Sequence, residues 1–436
     1  MGWEFSTDPE FQAKLDWVDA FVREEVEPLD LLWGDRTFHP LDDKLRTIVD
    51  PLKQRVRDEK LWACHLGPEL GGEGYGQVKL SLMNEILGRS RWAPIIFGCQ
   101  APDTGNAEII AHYGTDEQKE RYLRPLLEGE IFSSYSMTEP QGGSDPTRFE
   151  TRARRDGDEW VIDGWKFFSS NARTSSFLIV MAVTDPDVSA YQGMSMFLVS
   201  TDTPGVDIVR NIGLMGEHFG DGHEGMHALI HYNEVRVPAQ SLLGGEGQAF
   251  AIAQTRLGGG RIHHAMRTVG VCQKALDMMC ERALSRQTQG TILADKQSVQ
   301  NYVADSYAQL MQFRLFVLYV AWEIDQYQDY RKVRHDIAAV KVLTAQVLHD
   351  IVQRSIQVHG ALGVSNELPL GGYWMMVPVM GLVDGPSEVH RVTVARQILK
   401  RYQAAPGAWP TEHLPEKLAA ARAKFAEHLE HEVANQ

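Results

Sequence analysis

The hydrophobic period of this chain changes twice along its length. From about residue 8 to residue 128, apolar residues recur at spacings of three and four, as in the stripe of Phe11, Leu15 and Val18. Between about 131 and 245 the period is that of strands, and the helical period then returns in four segments, at about 248–286, 295–328, 336–359 and 388–402. This order predicts an α+β multidomain protein with an N-terminal all-α domain, a middle antiparallel β-barrel or sandwich and a C-terminal four-helix bundle.

The predicted boundaries follow these changes of period. They are an N-terminal helical domain at 1–130, a middle β domain at 131–245, a helical bundle at 246–405 and a polar appendage at 406–436. Within the β domain, Gly157 and Gly164 each follow an aspartate, and Asp-Gly between apolar alternations is a strong hairpin signal. Residues 159–162 and 166–168 are therefore predicted to be two paired strands.

Composition excludes several classes of protein. The chain has 436 residues, of which 43% are hydrophobic, so wholesale disorder is excluded. A formal charge of −15 argues against a nucleic-acid partner, which needs a basic surface. No stretch is long and uncharged enough to predict a membrane span. The 4 cysteines form no Cys-x-x-Cys, which favours a reducing cytoplasm, and the histidines lack the spacing of a metal site.

One loop has the composition of a ligand-binding segment. An apolar-aromatic run that includes Tyr135 and Met137 breaks at Pro140, and a glycine pair with neighbouring hydroxyls and a carboxylate follows. Glycine lets the backbone N–H groups come close to a flat, polar ligand. Taken alone, a segment of this kind is more often an ordinary transition from strand to loop.

Five segments, in order, resemble the acyl-CoA dehydrogenase family of flavoproteins. They are residues 135–145 (YSMTEPQGGSD), 164–171 (GWKFFSSN), 286–290 (RQTQG), 357–363 (QVHGALG) and 384–391 (DGPSEVHR). The last segment resembles the branch of the family that has an Asp-Gly-Pro catalytic loop. The resemblance implies FAD bound without a Rossmann unit, because no Gly-x-Gly-x-x-Gly follows a strand.

The resemblance implies a set of FAD-binding residues, some of them serving the flavin of a neighbouring subunit. They are Tyr135, Met137, Thr138, Gly143, Ser144, Phe168, Ser170, Arg286, Gln289, Gln357, Gly360, Gly385 and Glu388. Phe168 stands where the family usually has tryptophan and can still stack on the flavin. Alternative interpretations remain: Thr138 as a turn cap, Phe168 as a core residue, Arg286 as a partner of a helix dipole, Gly360 as a C-cap and Glu388 as a cap of the following helix.

Asp384 is the candidate catalytic base. Removing hydrogen across an unactivated Cα–Cβ bond needs a base for the α-proton and a hydride acceptor for the β-carbon. Most members of the family have glutamate at the position of Asp384, and the family's second base position aligns with Gly260, which cannot act as a base. Aspartate is one methylene shorter than glutamate, so the loop must lie closer to the substrate. The alternative is a turn aspartate before Gly385.

Three residues are predicted to bind the substrate: Ser144, Arg261 and Gly385. The run 258–260 is three glycines, which leaves room for a long or bulky acyl chain or marks a slack helix start. Residues 102–106 are predicted to end a helix and to place Asp103 and Asn106 against a functionalised acyl chain.

The leading functional prediction is a dehydrogenase of fatty acid β-oxidation. It would form a trans-2-enoyl-CoA and pass electrons to an electron-transfer flavoprotein. The alternatives are a nitroalkane-oxidase-like flavoprotein, which also uses an aspartate base, and a non-catalytic scaffold of the same fold. An acyl-CoA oxidase is disfavoured because the polypeptides of that class are usually longer by a whole domain. FAD segments that serve a neighbour imply a homodimer or homotetramer.

Overall fold

A computed structural model describes residues 7–34, 36–37, 41–68, 72–217 and 225–433. The chain forms two compact units, Met1–Arg391 and Val392–Gln436. The second unit contains the end of helix α13 and the helices α14 (Leu414–Lys424) and α15 (Ala426–Val433). The described side chains of this unit from residue 395 onward are mostly exposed. All candidate site residues lie in the first unit.

The N-terminal part of the first unit is helical, as predicted. Its helices are α1 (Pro9–Phe21), α2 (Glu27–Trp33), α3 (Asp43–Asp58), α4 (Gly76–Leu87), α5 (Ala93–Ile96), α6 (Asp103–Tyr113), α7 (Asp116–Gln118) and α8 (Arg124–Leu127). Two of these helix starts have side-chain caps of a common type: Asp8 accepts from the N–H of Phe11, and Thr115 forms a capping box with Gln118. Residues 102–106 were predicted to end a helix, and this is wrong, because Asp103 begins α6.

The middle part is a seven-stranded sheet. Its strands are β1 (Ser133–Ser136), β2 (Arg152–Asp156), β3 (Glu159–Ser170), β4 (Phe177–Val183), β5 (Met194–Ser200), β6 (Val206–Ile212) and β7 (His227–Pro238). The order is β1-β4-β2-β3-β7-β6, with β5 paired to β4. The β domain is confirmed, but the sheet is mixed, because β1 and β2 both pair with β4 in parallel.

The Asp163-Gly164 pair lies within one long strand and not in a hairpin turn. The predicted pairing of residues 159–162 with 166–168 is therefore wrong; both belong to β3, which pairs with β2 and β7. The register of β3 against β7 shifts at Gly164, whose φ is +145°. A Cβ at this position would lie 2.6 Å from the Cα of Thr151, so the bulge needs glycine. The Asp156-Gly157 pair does form the β2–β3 turn.

The C-terminal part is a set of long helices. They are α9 (Ala249–Ser285), α10 (Gln297–Tyr327), α11 (Tyr330–His359), α12 (Leu370–Leu382) and α13 (Ser387–Leu399). A short hairpin of β8 (Gln287–Thr288) and β9 (Thr291–Ile292) follows α9. The sequence did not predict α12, which packs mainly on α11. No helix among the described residues is both long and apolar enough to cross a membrane.

Helix α9 passes from one hydrophobic core to another. Its first turns, with Ala249 and Ile252, pack in a core shared with α6 and one face of the sheet. From Ile262 onward it packs in a larger core, which the N-terminal helices and the bundle share. The glycine run at 258–260 lies at the junction of these cores, and the loop between α12 and α13 reaches the same place.

Candidate active site

The loop after α12 holds Asp384 in a left-handed backbone conformation. Asp384 has φ +54° and Gly385 has φ +104°. A Cβ at 385 would lie 3.1 Å from Nε2 of His390, so the position favours glycine on both counts. Arg261 donates from Nε to the carbonyl oxygen of Asp384 at 2.9 Å, and His390 Nε2 lies 3.3 Å from the same oxygen. The backbone at Asp384 is therefore held from two helices.

The Asp384 carboxylate lies directly against the glycine run of α9. A Cβ at position 260 would come within 2.9 Å of Asp384 Oδ2. The side chain of Asp384 is 12% exposed. The two positions that the resemblance predicts for a base therefore lie side by side: Gly260 leaves the space, and Asp384 occupies it.

Positively charged side chains surround this carboxylate. Arg256 Nη1 lies 3.9 Å from Oδ1, and His264 Nε2 lies 3.7 Å from Oδ2. Burial lowers the pKa of His264 to about 4, so its imidazole is neutral near pH 7. Burial also lowers the pKa of Lys341 to about 8, and its ammonium donates to the carbonyl of Met380. Near neutral pH, Arg256 and Lys341 therefore supply positive charge.

Arg256 connects Asp384 to the predicted ligand-binding strand. Its guanidinium lies over the ring of Tyr135, 3.9 Å from the centroid. The Tyr135 hydroxyl is buried without a hydrogen-bond partner among the described residues. Burial raises the pKa of Tyr135 to about 12, so the hydroxyl keeps its proton. This orphaned donor faces the site and fits a polar ligand group.

The space over the three glycines is filled by protein side chains. A Cβ at Gly258 would lie 3.0 Å from the ring of Tyr330, and one at Gly259 would lie 2.7 Å from Oε2 of Glu108. The interpretation of this run as room for a long or bulky acyl chain is therefore wrong. Burial raises the pKa of Glu108 to about 8.

Asp103 and Asn106 also have protein partners. Asp103 Oδ1 accepts from Ser133, from its backbone N–H at 2.8 Å and its Oγ at 2.5 Å. Asn106 donates to Ser133 Oγ at 2.9 Å and accepts from Arg256 Nε at 2.8 Å. Their predicted contact with a functionalised acyl chain therefore has no basis in this geometry.

A buried ion pair fixes the loop that follows β1. Lys166 Nζ lies 2.8 Å from Glu139 Oε1 and donates to the carbonyl of Met137, also at 2.8 Å. Burial opposes ionisation of Glu139, but the Lys166 ammonium outweighs it and lowers the pKa of Glu139. Phe167 N–H donates to the carbonyl of Thr138 at 2.9 Å. The predicted flavin residues Met137 and Thr138 are thereby tied to β3.

Phe168 presents an exposed ring beside this loop. It lies at the second bulge of β3, has φ +60° and is 39% exposed. Its ring stacks on His227, with centroids 4.9 Å apart, and Ser170 Oγ lies 2.9 Å from His227 Nδ1. In the loop, Ser144 is exposed, and nothing lies within 4 Å of a Cβ built on Gly143. An exposed aromatic face next to open glycine backbone fits a flat cofactor such as a flavin.

The other predicted FAD residues lie exposed, away from these contacts. They are Arg286, Gln289, Gln357, Gly360 and Glu388. A Cβ at Gly360, where α11 ends, or at Gly290, next to Gln289, would meet no described residue within 4 Å, so a ligand can approach the backbone there. Gly360 has φ +65°, which also suits a C-cap. Glu388 lies in the first turn of α13, where its charge is favourable.

Sequence reasoning missed most of the polar groups around Asp384. They are Arg256, His264, Lys341 and His390. A signal was present on α9, because Arg256, Gly260 and His264 follow one another at four-residue spacing and share a helix face.

Comparison with known proteins gives matches along most of the chain. Residues 8–130, 134–224 and 247–399 match the family models of the N-terminal, middle and C-terminal domains of acyl-CoA dehydrogenase. The protein named "Probable acyl-CoA dehydrogenase FadE2" of Mycobacterium tuberculosis is 42% identical over 390 residues, covering 88% of this chain and 94% of that protein. A solved Mycobacterium abscessus structure described as an acyl-CoA dehydrogenase has a TM-score of 0.82 and 36% identity, covering 91% of this chain and 100% of the other.

Longer relatives contain this chain as a part. Acyl-CoA dehydrogenase family member 11 of Rattus norvegicus is 39% identical over 366 residues, which are 83% of this chain but 45% of the rat protein. The chain thus spans less than half the length of that relative. Members of the matched family are FAD-dependent oxidoreductases that act on acyl-CoA. By sequence over most of residues 8–399 and by structure, the chain belongs to the acyl-CoA dehydrogenase family.

Proposed function

We propose that this protein oxidises an acyl-CoA to its trans-2-enoyl-CoA, with Asp384 as the base that removes the α-proton. The observation that carries this proposal is the position of the Asp384 carboxylate, which lies against Gly260 and is largely buried. A carboxylate at this junction, beside Arg256, is placed to accept a proton. FAD, when bound, supplies the acceptor for the β-hydride.

The left-handed loop compensates for the shorter reach of aspartate. The conformation of Asp384 and Gly385 brings the carboxylate into the space that a side chain at 260 would fill. A glutamate here would have one more methylene to place in the same space. The short side chain of Asp384 and the absence of a side chain at Gly260 therefore fit each other.

FAD is proposed to bind along the β1 loop and the second bulge of β3. Phe168 offers its exposed ring to the flavin, and Thr138, Ser144 and Ser170 offer short polar groups to the ring edge. The exposed set Arg286, Gln289, Gln357, Gly360 and Glu388 would hold the adenine-diphosphate half of a neighbour's FAD. This arrangement requires a homodimer or homotetramer, and light scattering of the FAD-loaded protein tests it.

Arg261, Ser144 and Gly385 remain the proposed substrate contacts. In the structure Arg261 fixes the backbone of Asp384, which gives it a positioning role as well. The acyl chain length is best defined by a panel of straight, branched and hydroxylated acyl-CoAs, assayed for bleaching of the bound flavin. An electron-transfer flavoprotein is the proposed acceptor, and release of hydrogen peroxide in air would point to an oxidase instead.

Asp384→Asn tests the proposed function. The variant should bind FAD with its normal absorbance but should not bleach on anaerobic addition of acyl-CoA, because an amide cannot accept the proton. Asp42→Asn is the matched control, since asparagine also caps α3 and the site is untouched. Unchanged bleaching by Asp384→Asn would exclude Asp384 as the base.

The same assay separates the alternatives. An aspartate base is shared with nitroalkane-oxidase-like flavoproteins, and such a protein would bleach with nitroethane and not with acyl-CoA. A non-catalytic scaffold would bleach with neither substrate. We expect bleaching with acyl-CoA alone.

A further inference from the structure

A continuous buried hydrogen-bond chain leads from the start of α6 to Arg256. Asp103 Oδ1 accepts from Ser133 Oγ at 2.5 Å, and Asn106 donates to the same Oγ at 2.9 Å. Asn106 Oδ1 then accepts from Arg256 Nε at 2.8 Å. All four residues are buried. The orientation of the Arg256 guanidinium is therefore set by α6 and β1, two elements distant from it in sequence.

The first turn of α6 also provides the space for this arginine. A Cβ at Gly105 would lie 2.9 Å from Arg256 Cγ, so glycine leaves room for the side-chain stem. On its other side the guanidinium lies over the Tyr135 ring. Its Nε is bound to Asn106, and Nη1 points to Asp384, 3.9 Å from Oδ1. We call Asp103, Gly105, Asn106 and Ser133 the arginine socket.

We propose that Arg256 is a positioning residue for the proposed base, and that the arginine socket holds its guanidinium where its positive charge faces and orients the Asp384 carboxylate. This inference rests on the proposed role of Asp384 as the base. The proposal gives a function to the Asp-x-Gly-Asn turn at 103–106, which lies outside the segments that resemble the family.

Other groups also face Asp384, but Arg256 is the one suited to this role. The described charged or titratable groups around it are Tyr135, Arg256, Arg261, His264, Arg267, Lys341 and His390. Arg261 donates its Nε to the backbone carbonyl of Asp384, and Arg267 donates to the carbonyl of Cys99.

The remaining groups supply less to the carboxylate. Lys341 donates to the carbonyl of Met380. Burial lowers the pKa of His264 and of His390 to about 4, so both rings are neutral near pH 7. Tyr135 is neutral as well, since burial raises its pKa to about 12. Arg256 thus combines a permanent charge with a guanidinium nitrogen near the carboxylate oxygen.

The size of the effect follows from the separation of the two groups. An opposite charge within about 4–6 Å of a carboxylate favours its ionised form by about 1–3 pH units. Removing the charge of Arg256 should therefore move the acidic limb of the pH–rate profile to higher pH by about 1–3 units. A purely structural arginine would lower stability without moving that limb.

The experiment measures anaerobic flavin reduction by a saturating acyl-CoA as a function of pH. Arg256→Gln should shift the acidic limb to higher pH. It should also lower the rate on the plateau by about tenfold or more, because the carboxylate loses the group that orients it. Arg256→Lys keeps the positive charge, so the acidic limb of its pH–rate profile should stay close to that of the parent. Its rate should still fall, because lysine lacks the guanidinium fork that reaches both Asn106 and Asp384. Arg314→Gln is the matched control: it breaks the ion pair with Glu85 at 2.9 Å and should not move the limb.

Stability provides a readout that does not depend on turnover. The Tm values of Arg256→Gln, Asp384→Asn and the double variant form a double-mutant cycle. The double variant should lose less than the sum of the two single variants, because each single variant leaves a buried group without its counter-charge.

Two outcomes would overturn the inference. One is an acidic limb that stays in place in Arg256→Gln, and the other is additive Tm losses in the cycle. If Arg256→Gln does not fold, the variant Asn106→Ala is measured instead. This change removes the hydrogen-bond acceptor of Arg256 Nε, so it should lower the rate and shift the acidic limb by less than about one pH unit. An unchanged profile in that variant also refutes the socket. The proposed function fails separately, if Asp384→Asn still reduces its flavin.

Discussion

Replacing Gly260 with alanine should separate catalysis from stability in this protein. The added Cβ would lie 2.9 Å from Asp384 Oδ2. That atom is the far end of a side chain, so the carboxylate can turn away and the backbone of α9 need not move. The fold therefore tolerates the methyl group, but the base does not keep its position.

The Gly260→Ala substitution should leave the Tm unchanged or higher, and it should lower the rate of flavin reduction. Alanine is more favourable than glycine in a helix interior by about 1 kcal/mol, so the Tm of Gly260→Ala should be equal to or above that of the parent. An ordinary contact of about 3.4 Å requires the carboxylate oxygen to move by about 0.5 Å. Since a misplacement of about 1 Å can reduce a rate by about 100-fold, flavin reduction should slow by about tenfold or more.

The assay is stopped-flow bleaching of the bound flavin by acyl-CoA, together with thermal unfolding. Gly371→Ala is the matched control, because Gly371 is also helical and nothing lies within 4 Å of a Cβ built there. This control should keep the parent rate. A parent-like rate in Gly260→Ala would refute the placement of the base against α9, and a loss of rate in both variants would point to a general effect on the bundle.

Three further predictions concern groups around the site. Burial raises the pKa of Glu108 to about 8, so its neutral carboxyl contributes fully to the stability of the fold at low pH, and this contribution is lost as pH rises toward 8. The Tm of Glu108→Gln should therefore rise relative to that of the parent between about pH 5 and 8, and the difference should vanish below about pH 4. Lys166→Met should reduce the free energy of unfolding, measured in urea, by about 3–5 kcal/mol, because Glu139 stays buried without its cation. The double variant with Glu139→Gln should recover part of this loss, and an equal loss in the single and the double variant would contradict a charge effect. Phe168→Ala should weaken FAD binding by about 2- to 10-fold in Kd, measured by flavin fluorescence, whereas Phe168→Trp should not; equal Kd values would place the flavin elsewhere.

The order of the domains and the turn at Asp384-Gly385 could be predicted because both have local signals. A change of hydrophobic period is visible within a window of about 11–18 residues. Asp384-Gly385 is a pair that tolerates left-handed backbone, and the structure places both residues there.

The features that could not be predicted depend on packing between distant segments. Helix α12 contains Pro378 and three glycines, which predict a break, yet it forms because its apolar side chains pack on α11. Asn106 and Arg256 are separated by 150 positions, so no local pattern joins them. The second Asp-Gly pair, at Gly164, has the composition of a hairpin turn, and only the pairing of β3 with β7 shows that it is a bulge.

The shared core of the N-terminal helices and the bundle has a consequence for how this protein can be divided. Phe21 and Val49 belong to the same buried cluster as Val269 and Val320, although they match separate domain models. A fragment cut near residue 130 would expose apolar surface on both pieces and would aggregate. The boundaries of the matched domain models therefore differ from those of the units that unfold cooperatively. Calorimetry should show the N-terminal and C-terminal helical parts melting in one transition.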